Sequence, residues 1–263
     1  MIRAFLDRLG DTVRPIHRRY FRSGVAVERK EDESPVTRSD REAEQALRQA
    51  IADTFPEDGI LGEEFGSQRL DARRIWVLDP LDGTRAFVNG KPVFGVMAAL
   101  LEEGRPVAGL VDMPILFERW IGIAGEPTTF NGGPANVRPC ESLAAASLNA
   151  TSPDIFPDNA SRAAFDRLSA ACSQRHFGGD CQLYGLLASG WIDLVAEAGL
   201  KPYDYLAHVP IVEGAGGRIG DWRGRSLGLD SDGTVLAVGA PELFERAVDR
   251  LRSPAEGPGF GSG

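Results

Sequence analysis

Trp76-Val77-Leu78-Asp79-Pro80-Leu81-Asp82-Gly83-Thr84-Arg85-Ala86-Phe87 is the stretch on which the reading of this chain turns. An apolar strand, Ile75 to Leu78, runs into two carboxylates three residues apart. A Gly-Thr pair follows and can open a helix. Asp79 and Asp82 suit hard divalent cations, which take oxygen ligands. The N–H groups of Gly83 and Thr84 would face out of a helix N-terminus, where an anion is stabilised. Asp-Pro-x-Asp-Gly is equally an ordinary turn, with Pro fixing φ and Gly supplying unusual backbone angles. Gly62-Glu63-Glu64 upstream and Pro202-Tyr203-Asp204 downstream add more acids to weigh with it.

Composition narrows the classes. The chain has 263 residues, 43% hydrophobic and 25% charged, which is enough for one large or two closely packed domains. Its formal net charge of −9 disfavours non-specific binding to nucleic acid. A phosphorylated metabolite is not disfavoured if cations supply positive charge locally. Cys140, Cys172 and Cys181 are odd in number and fit no zinc spacing, so they read as reduced thiols. The N-terminus has charges throughout, and the apolar runs are too short to span a membrane. The expectation is a cytoplasmic protein.

Along the chain, residues 2–28 have helical spacing, with Pro15 a kink or break and His17 a solvated or core-edge residue. Residues 29–37 form a charged loop. Ser39 to Phe55 is the clearest helix, with Ser39 and Glu42 as a capping box and Ala43, Leu47, Ile51 and Phe55 along its buried side. Asp40 lies in its first turn, a place for an acid in any helix. Two apolar runs around Glu102-Glu103-Gly104-Arg105 make a hairpin, and Glu118 to Ala124 another strand. Turn-rich residues 128–133 mark a seam. Beyond it strands and helices alternate: a strand at Ala146–Ala150, a helix at Ser161–Cys172, a strand-to-helix junction at 175–181, and a strand at Ile192–Ala196 leading to Glu197. Asp204 caps a helix running to Gly214, where Pro210 demands a kink or a later start. Two more strands and a helix at Pro241–Leu251 follow. The division expected is 1–133, 134–252 and a flexible tail at 253–263.

Three stretches in this order, Ile60-Leu61-Gly62-Glu63-Glu64, Trp76 to Phe87, and Tyr203-Asp204 through Val212-Glu213-Gly214-Ala215-Gly216-Gly217, resemble the signatures of the inositol monophosphatase family. The resemblance runs from about Val36 to about Leu251. It implies a layered αβαβα sandwich of α+β and α/β halves, like that of fructose bisphosphatase, in a lithium-sensitive, Mg²⁺-dependent phosphomonoesterase. By resemblance, Glu63, Asp79 and the Leu81 carbonyl hold one Mg²⁺, and Asp79, Asp82 and Asp204 a second. A third, weaker ion lies near Glu63, making two to three in all. Thr84, paired with Asp40, helps Glu63 place the attacking water, and Gly83 and Thr84 meet the phosphate. Lys30 and Asp32 sit on a lid before Val36-Thr37. Homodimers are common in the family, and no nucleic-acid or membrane partner is expected.

Other stretches, among them Gly90-Lys91-Pro92-Val93-Phe94-Gly95, Phe177-Gly178-Gly179-Asp180-Cys181 and Leu200-Lys201-Pro202-Tyr203-Asp204, look like the histidinol-phosphate phosphatase branch. That substrate carries an ammonium and an imidazole, and a cationic end wants carboxylates. Asp180 and Glu197, with Asp82 and Asp204, stand where the family contacts substrate. Read plainly, Asp180 is a helix-capping acid and Glu197 a strand-end surface acid. His208 departs from the branch, which tends to an apolar residue there, and reads as a partly exposed helix position. The alternatives are an inositol-1-phosphate or sugar-phosphate phosphatase, and a non-catalytic protein that binds partners.

Overall fold

A computed structural model describes residues 1–29 and 35–252. The chain order is α1 (Ile2–Tyr20), β1 (Val27–Arg29), β2 (Pro35–Thr37), α2 (Arg38–Thr54), β3 (Gly59–Gly62), β4 (Gly66–Gln68), β5 (Arg74–Asp82), α3 (Thr84–Val88), β6 (Gly95–Glu102), β7 (Arg105–Met113), β8 (Glu118–Ile123), β9 (Thr129–Phe130) and β10 (Gly133–Pro134). Then follow β11 (Ser147–Ala150), α4 (Asn159–Ala170), β12 (Gln174–Phe177), α5 (Gln182–Ala188), β13 (Leu194–Glu197), α6 (Pro202–Tyr205), α7 (His208–Gly214), β14 (Arg218–Gly220), β15 (Val235–Val238) and α8 (Phe244–Leu251).

Alternation along the strands sorts side chains into layers. In β5, Trp76 and Leu78 face a core shared with Phe5, Leu6 and Leu9 of α1 and Leu47 and Ile51 of α2. Ile75 and Val77 face the other way, into a core filled by Leu183 and Leu187 of α5, Ile211 and Val212 of α7, and Val195 and Ala237 of a second sheet. That sheet's far face packs on Phe165 and Leu168 of α4 and Phe244 and Val248 of α8. The result is five layers, αβαβα. The first sheet has the order β10-β9-β8-β7-β6-β5-β3-β4 and the second β12-β11-β13-β15-β14. The turn-rich residues 128–133 lead through β9 into β10, which pair as the small edge hairpin of the first sheet. The β6–β7 hairpin has positive φ at Glu103 (50°) and Gly104 (78°), which matches the twist of its strands.

Several expectations need correction. Helix α1 runs unbroken through Pro15 and ends at Tyr20, not near residue 28. Pro15 lies on the solvent side, so the carbonyl its ring deprives of a donor can turn to water. The capping box of α2 is Thr37 with Asp40, not Ser39 with Glu42: the Thr37 hydroxyl oxygen accepts from the Ser39 amide, and Asp40 Oδ2 accepts from the Thr37 amide at 2.9 Å. Glu42 instead accepts from Tyr20 and Arg19 of α1. His17 is fully buried, its Nδ1 2.9 Å from Ser39 Oγ. The strands β1, β2 and β4, three residues each, had no signal in the apolar pattern. Two helices replace the single one expected from Asp204: α6, with Asp204 as its third residue, and α7, which starts later, as Pro210 demanded, with Pro210 third, where its missing N–H costs no helical bond. The tail, 253–263, lies outside the described residues, as do Lys30 and Asp32.

Candidate active site

Three carboxylates meet where the layers come together. One oxygen from each of Asp79, Asp82 and Asp204 lies within 4.8 Å of the other two. In a regular strand Asp79 and Asp82 would point to opposite faces. They do not, because β5 carries a bulge. Asp79 pairs with Met97 and Asp82 with Gly95, so three steps on β5 match two on β6. The extra residue brings both acids to the face occupied by α5 and α6. Asp204 is the third residue of α6 and accepts the Lys201 amide at 2.7 Å. Glu63 stands in the β3–β4 turn. Since β3 runs parallel to β5 with Gly62 opposite Leu78, Glu63 arrives beside Asp79, and its amide donates to the Leu78 carbonyl at 3.2 Å.

Neighbouring groups orient these acids. The Leu81 amide donates to Asp79 Oδ1 at 2.9 Å, and the Cys181 amide to Asp82 Oδ2 at 2.6 Å. Gly83, with φ of 83°, caps the short α3, which Thr84 opens. Asp180 stands over Gly83 so closely that a Cβ there would lie 3.2 Å from its Cγ. The Thr84 hydroxyl lies 2.9 Å from the Leu81 carbonyl and 3.3 Å from Asp40 Oδ1, so it can donate to either.

Burial, first, then repulsion from Glu63, Asp82 and Asp204, holds the Asp79 carboxyl well above the usual range. Burial and the nearby Asp82 raise Asp204 in the same way, and burial raises Asp82 against the Cys181 hydrogen bonds. Among the described residues none of Asp79, Asp82 and Asp204 has an ion-pair partner. Buried, mutually repelling carboxylates of this kind are costly without a cation. An all-oxygen set of carboxylates fits Mg²⁺ rather than a soft metal. The residues present therefore fit the group.

Beside the cluster is a cavity of about 210 Å³, walled by Asp82, Asp204, Asp180, Glu197, Tyr184 and His208, with Thr151, Asp154 and Arg85 also reaching it. Burial, with the nearby Asp82 and Glu197, pushes Asp180 up to about 8, against the pull of Lys91 and Arg85. Glu197 is not a surface acid. It ends β13 at 2% exposure, accepts the Thr151 amide at 2.6 Å, and accepts the Tyr184 hydroxyl at 2.8 Å. Nor is His208 partly exposed. It is fully buried and stacked on Tyr184 at 3.9 Å and 10°, and among the described residues neither ring nitrogen makes a well-formed hydrogen bond, the Asp204 backbone giving only a weak one. Burial lowers its pKa to about 3, so the ring is neutral.

Sequence reasoning passed over Tyr184, Thr151 and Glu44. Glu44 had a signal, one turn after Asp40 on the capped helix. Thr151 and Tyr184 line the cavity and hydrogen-bond to Glu197, contacts with no sequence pattern. All three cysteines are free thiols. Among the described residues no helix is long and apolar enough to cross a membrane.

Comparison with known proteins agrees with the geometry. The description of the inositol monophosphatase family matches residues 2–253. A bifunctional chloroplastic phosphatase, IMPL2, of Arabidopsis thaliana is 43% identical, over 93% of this chain and 73% of its own. A histidinol-phosphatase of Chlorobaculum parvum is 37% identical, over 84% and 86%. The solved structure of an inositol monophosphatase from Zymomonas mobilis is 47% identical with a TM-score of 0.87, covering 94% of this chain and 96% of that one. The chain belongs to the inositol monophosphatase family and is a phosphoric monoester hydrolase.

Proposed function

We propose that the chain hydrolyses L-histidinol phosphate to L-histidinol and phosphate, with two to three Mg²⁺ held by Glu63, Asp79, Asp82, Asp204 and the Leu81 carbonyl. The observation that carries the substrate is the cavity wall. Asp154, Asp180 and Glu197 face the space next to the acid cluster, with Arg85 as the cation at its edge. Such a wall favours a substrate whose far end is cationic. Relatives named for histidinol phosphate support the same reading. Inositol 1-phosphate is the second reading, supported by the 47%-identical Zymomonas mobilis protein, which is named an inositol monophosphatase.

Bound Mg²⁺ would neutralise the phosphate, make a water more acidic and stabilise the leaving oxygen. The protein's own groups do the rest. Glu63 and the Thr84 hydroxyl orient that water in line with the scissile bond. Asp40 and the Leu81 carbonyl hold the hydroxyl in place. The Gly83 and Thr84 amides, at the start of α3, receive phosphate oxygens. Asp180 and Glu197 receive the cationic end.

The test is phosphate release with Mg²⁺ from histidinol phosphate and inositol 1-phosphate side by side, with and without lithium. A kcat/KM at least tenfold higher for histidinol phosphate, about 1.4 kcal/mol of transition-state preference, is expected. The reverse ranking discards the roles given to Asp180 and Glu197 and leaves the acid cluster standing.

A further inference from the structure

Helix α2 carries a second buried acid one turn beyond Asp40. Glu44 has no exposed surface. Its Oε2 accepts the Glu64 amide at 2.7 Å. Its Oε1 accepts the Phe65 amide at 3.2 Å and Arg48 Nε at 2.7 Å. The same Arg48 donates to the Gly66 carbonyl. These partners are the turn that carries Glu63. On its other side the turn closes against Glu44 at Gly62, where a Cβ would collide with the Glu44 carboxylate and the Arg48 guanidinium. The amide of Glu63 itself donates to the strand that bears Asp79. Every residue from Gly62 to Gly66 is thus tied to α2 or to β5.

Stability alone explains this arrangement poorly. Well-packed apolar side chains commonly replace a buried ion pair at no loss. They cannot accept two amides at the tip of a turn, and those amides project beyond the β3–β4 ladder. The acid also brings its own counter-charge in Arg48, so it adds no net charge to the cluster.

We propose that Glu44 is a positioning residue for the hydrolysis: it fixes the turn that carries Glu63, and with it the place of the Glu63 carboxylate against Asp79 and Asp204. Helix α2 then holds the site at two points, Thr84 through Asp40 and Glu63 through Glu44. The proposal rests on Glu63 belonging to the reacting site.

The test is Glu44→Gln, which keeps the size and replaces one acceptor oxygen by a donor. Two readouts are taken. Hydrogen exchange in the metal-free protein should speed up at the Glu64 and Phe65 amides and stay unchanged in β6. With p-nitrophenyl phosphate, a generic ester that makes no use of the far end of the cavity, kcat should fall about 10–100-fold at nearly constant KM, with more Mg²⁺ needed for half activation. Glu44→Asp, too short to reach both amides, decides the matter if the first variant does not fold. Unchanged exchange in a folded variant overturns the proposal, and so does faster exchange with wild-type kcat and Mg²⁺ dependence. Glu63→Gln is the control: full activity there sinks the reading of Glu63 itself, and the exchange result still reports whether Glu44 holds the turn.

Discussion

The Cys181 amide donates to Asp82 Oδ2 at 2.6 Å, and the two residues are 99 positions apart in the chain. One belongs to the approach to α5 and the other to the end of β5, so the carboxylate at the bulge is aimed by a segment that follows the second sheet's edge strand. The cavity for the substrate's far end and the acid cluster are joined at this bond.

Asp82→Asn keeps an oxygen for the Cys181 amide and removes one charge. The variant should lose most activity. Its metal-free form should melt higher than metal-free wild type, because a repelling charge has left the buried cluster. Mg²⁺ at a hundred times its dissociation constant would add about 2.7 kcal/mol to the wild type. Most of that gain should vanish in Asp82→Asn. Calorimetric melting with EDTA and with Mg²⁺ reads both effects, and equal gains in the two proteins would remove Asp82 from the metal ligands.

His17 and His208 make stability depend on pH. Burial lowers His17 to about 4 and His208 to about 3, from an unfolded value of 6.5. Between those limits the unfolded chain binds protons that the folded chain refuses. Their contribution is complete above pH 6.5 and is lost as pH falls, by about 1.4 kcal/mol per pH unit for each ring. His208→Leu removes one titration and two ring nitrogens without a well-formed hydrogen bond. It should be more stable by about 1–3 kcal/mol at pH 7.5. Its advantage should widen on going to pH 5. Urea unfolding at the two values measures both, and a constant difference would contradict the burial of a neutral ring.

Asp112 pins α1 to the first sheet. Fully buried, it accepts from Arg14 at 2.6 and 3.2 Å and from Arg119 at 2.6 Å, and Arg119 also reaches Asp7 and Asp11. Asp112→Ala leaves two guanidinium groups without their central acid and should cost about 3–5 kcal/mol. Asp11→Ala, at the exposed end of the same array, should cost less than about 1 kcal/mol. Similar costs in urea unfolding would show that burial does not set the worth of these pairs.

The layered fold was legible through the family resemblance, and the acid stretches and the α2 stripe because their signals are local. An apolar run ending in Asp79 and Asp82 and the stripe of Ala43, Leu47 and Ile51 need only neighbours in sequence. What escaped depends on contacts made far along the chain. His208 sits at a helical position that could have faced either way, and only packing against Tyr184 buries it. Glu197 was named as a substrate contact through the resemblance alone; the Thr151 amide and Tyr184 hydroxyl that hold it come from other elements and left no sign in the sequence. The shift of the α2 cap from Ser39 to Thr37 is a different failure. Both residues can cap, and Asp40 decided between them by bonding back to Thr37.

The bulge in β5 makes the active centre a matter of parity. A strand counts in twos, and one uncounted residue between Asp79 and Asp82 is what lets an odd interval put both acids on one face. Spacing and bulge therefore have to be read together at this point. A single-residue deletion at Pro80 would keep every acid and restore an even ladder. It would set the two acids an even interval apart, on one face of a regular pleat, and would take away the extra residue that bends β5 at the site. The bulge is one way for acids three residues apart to share a face, and a two-residue spacing on an unbulged strand is the other.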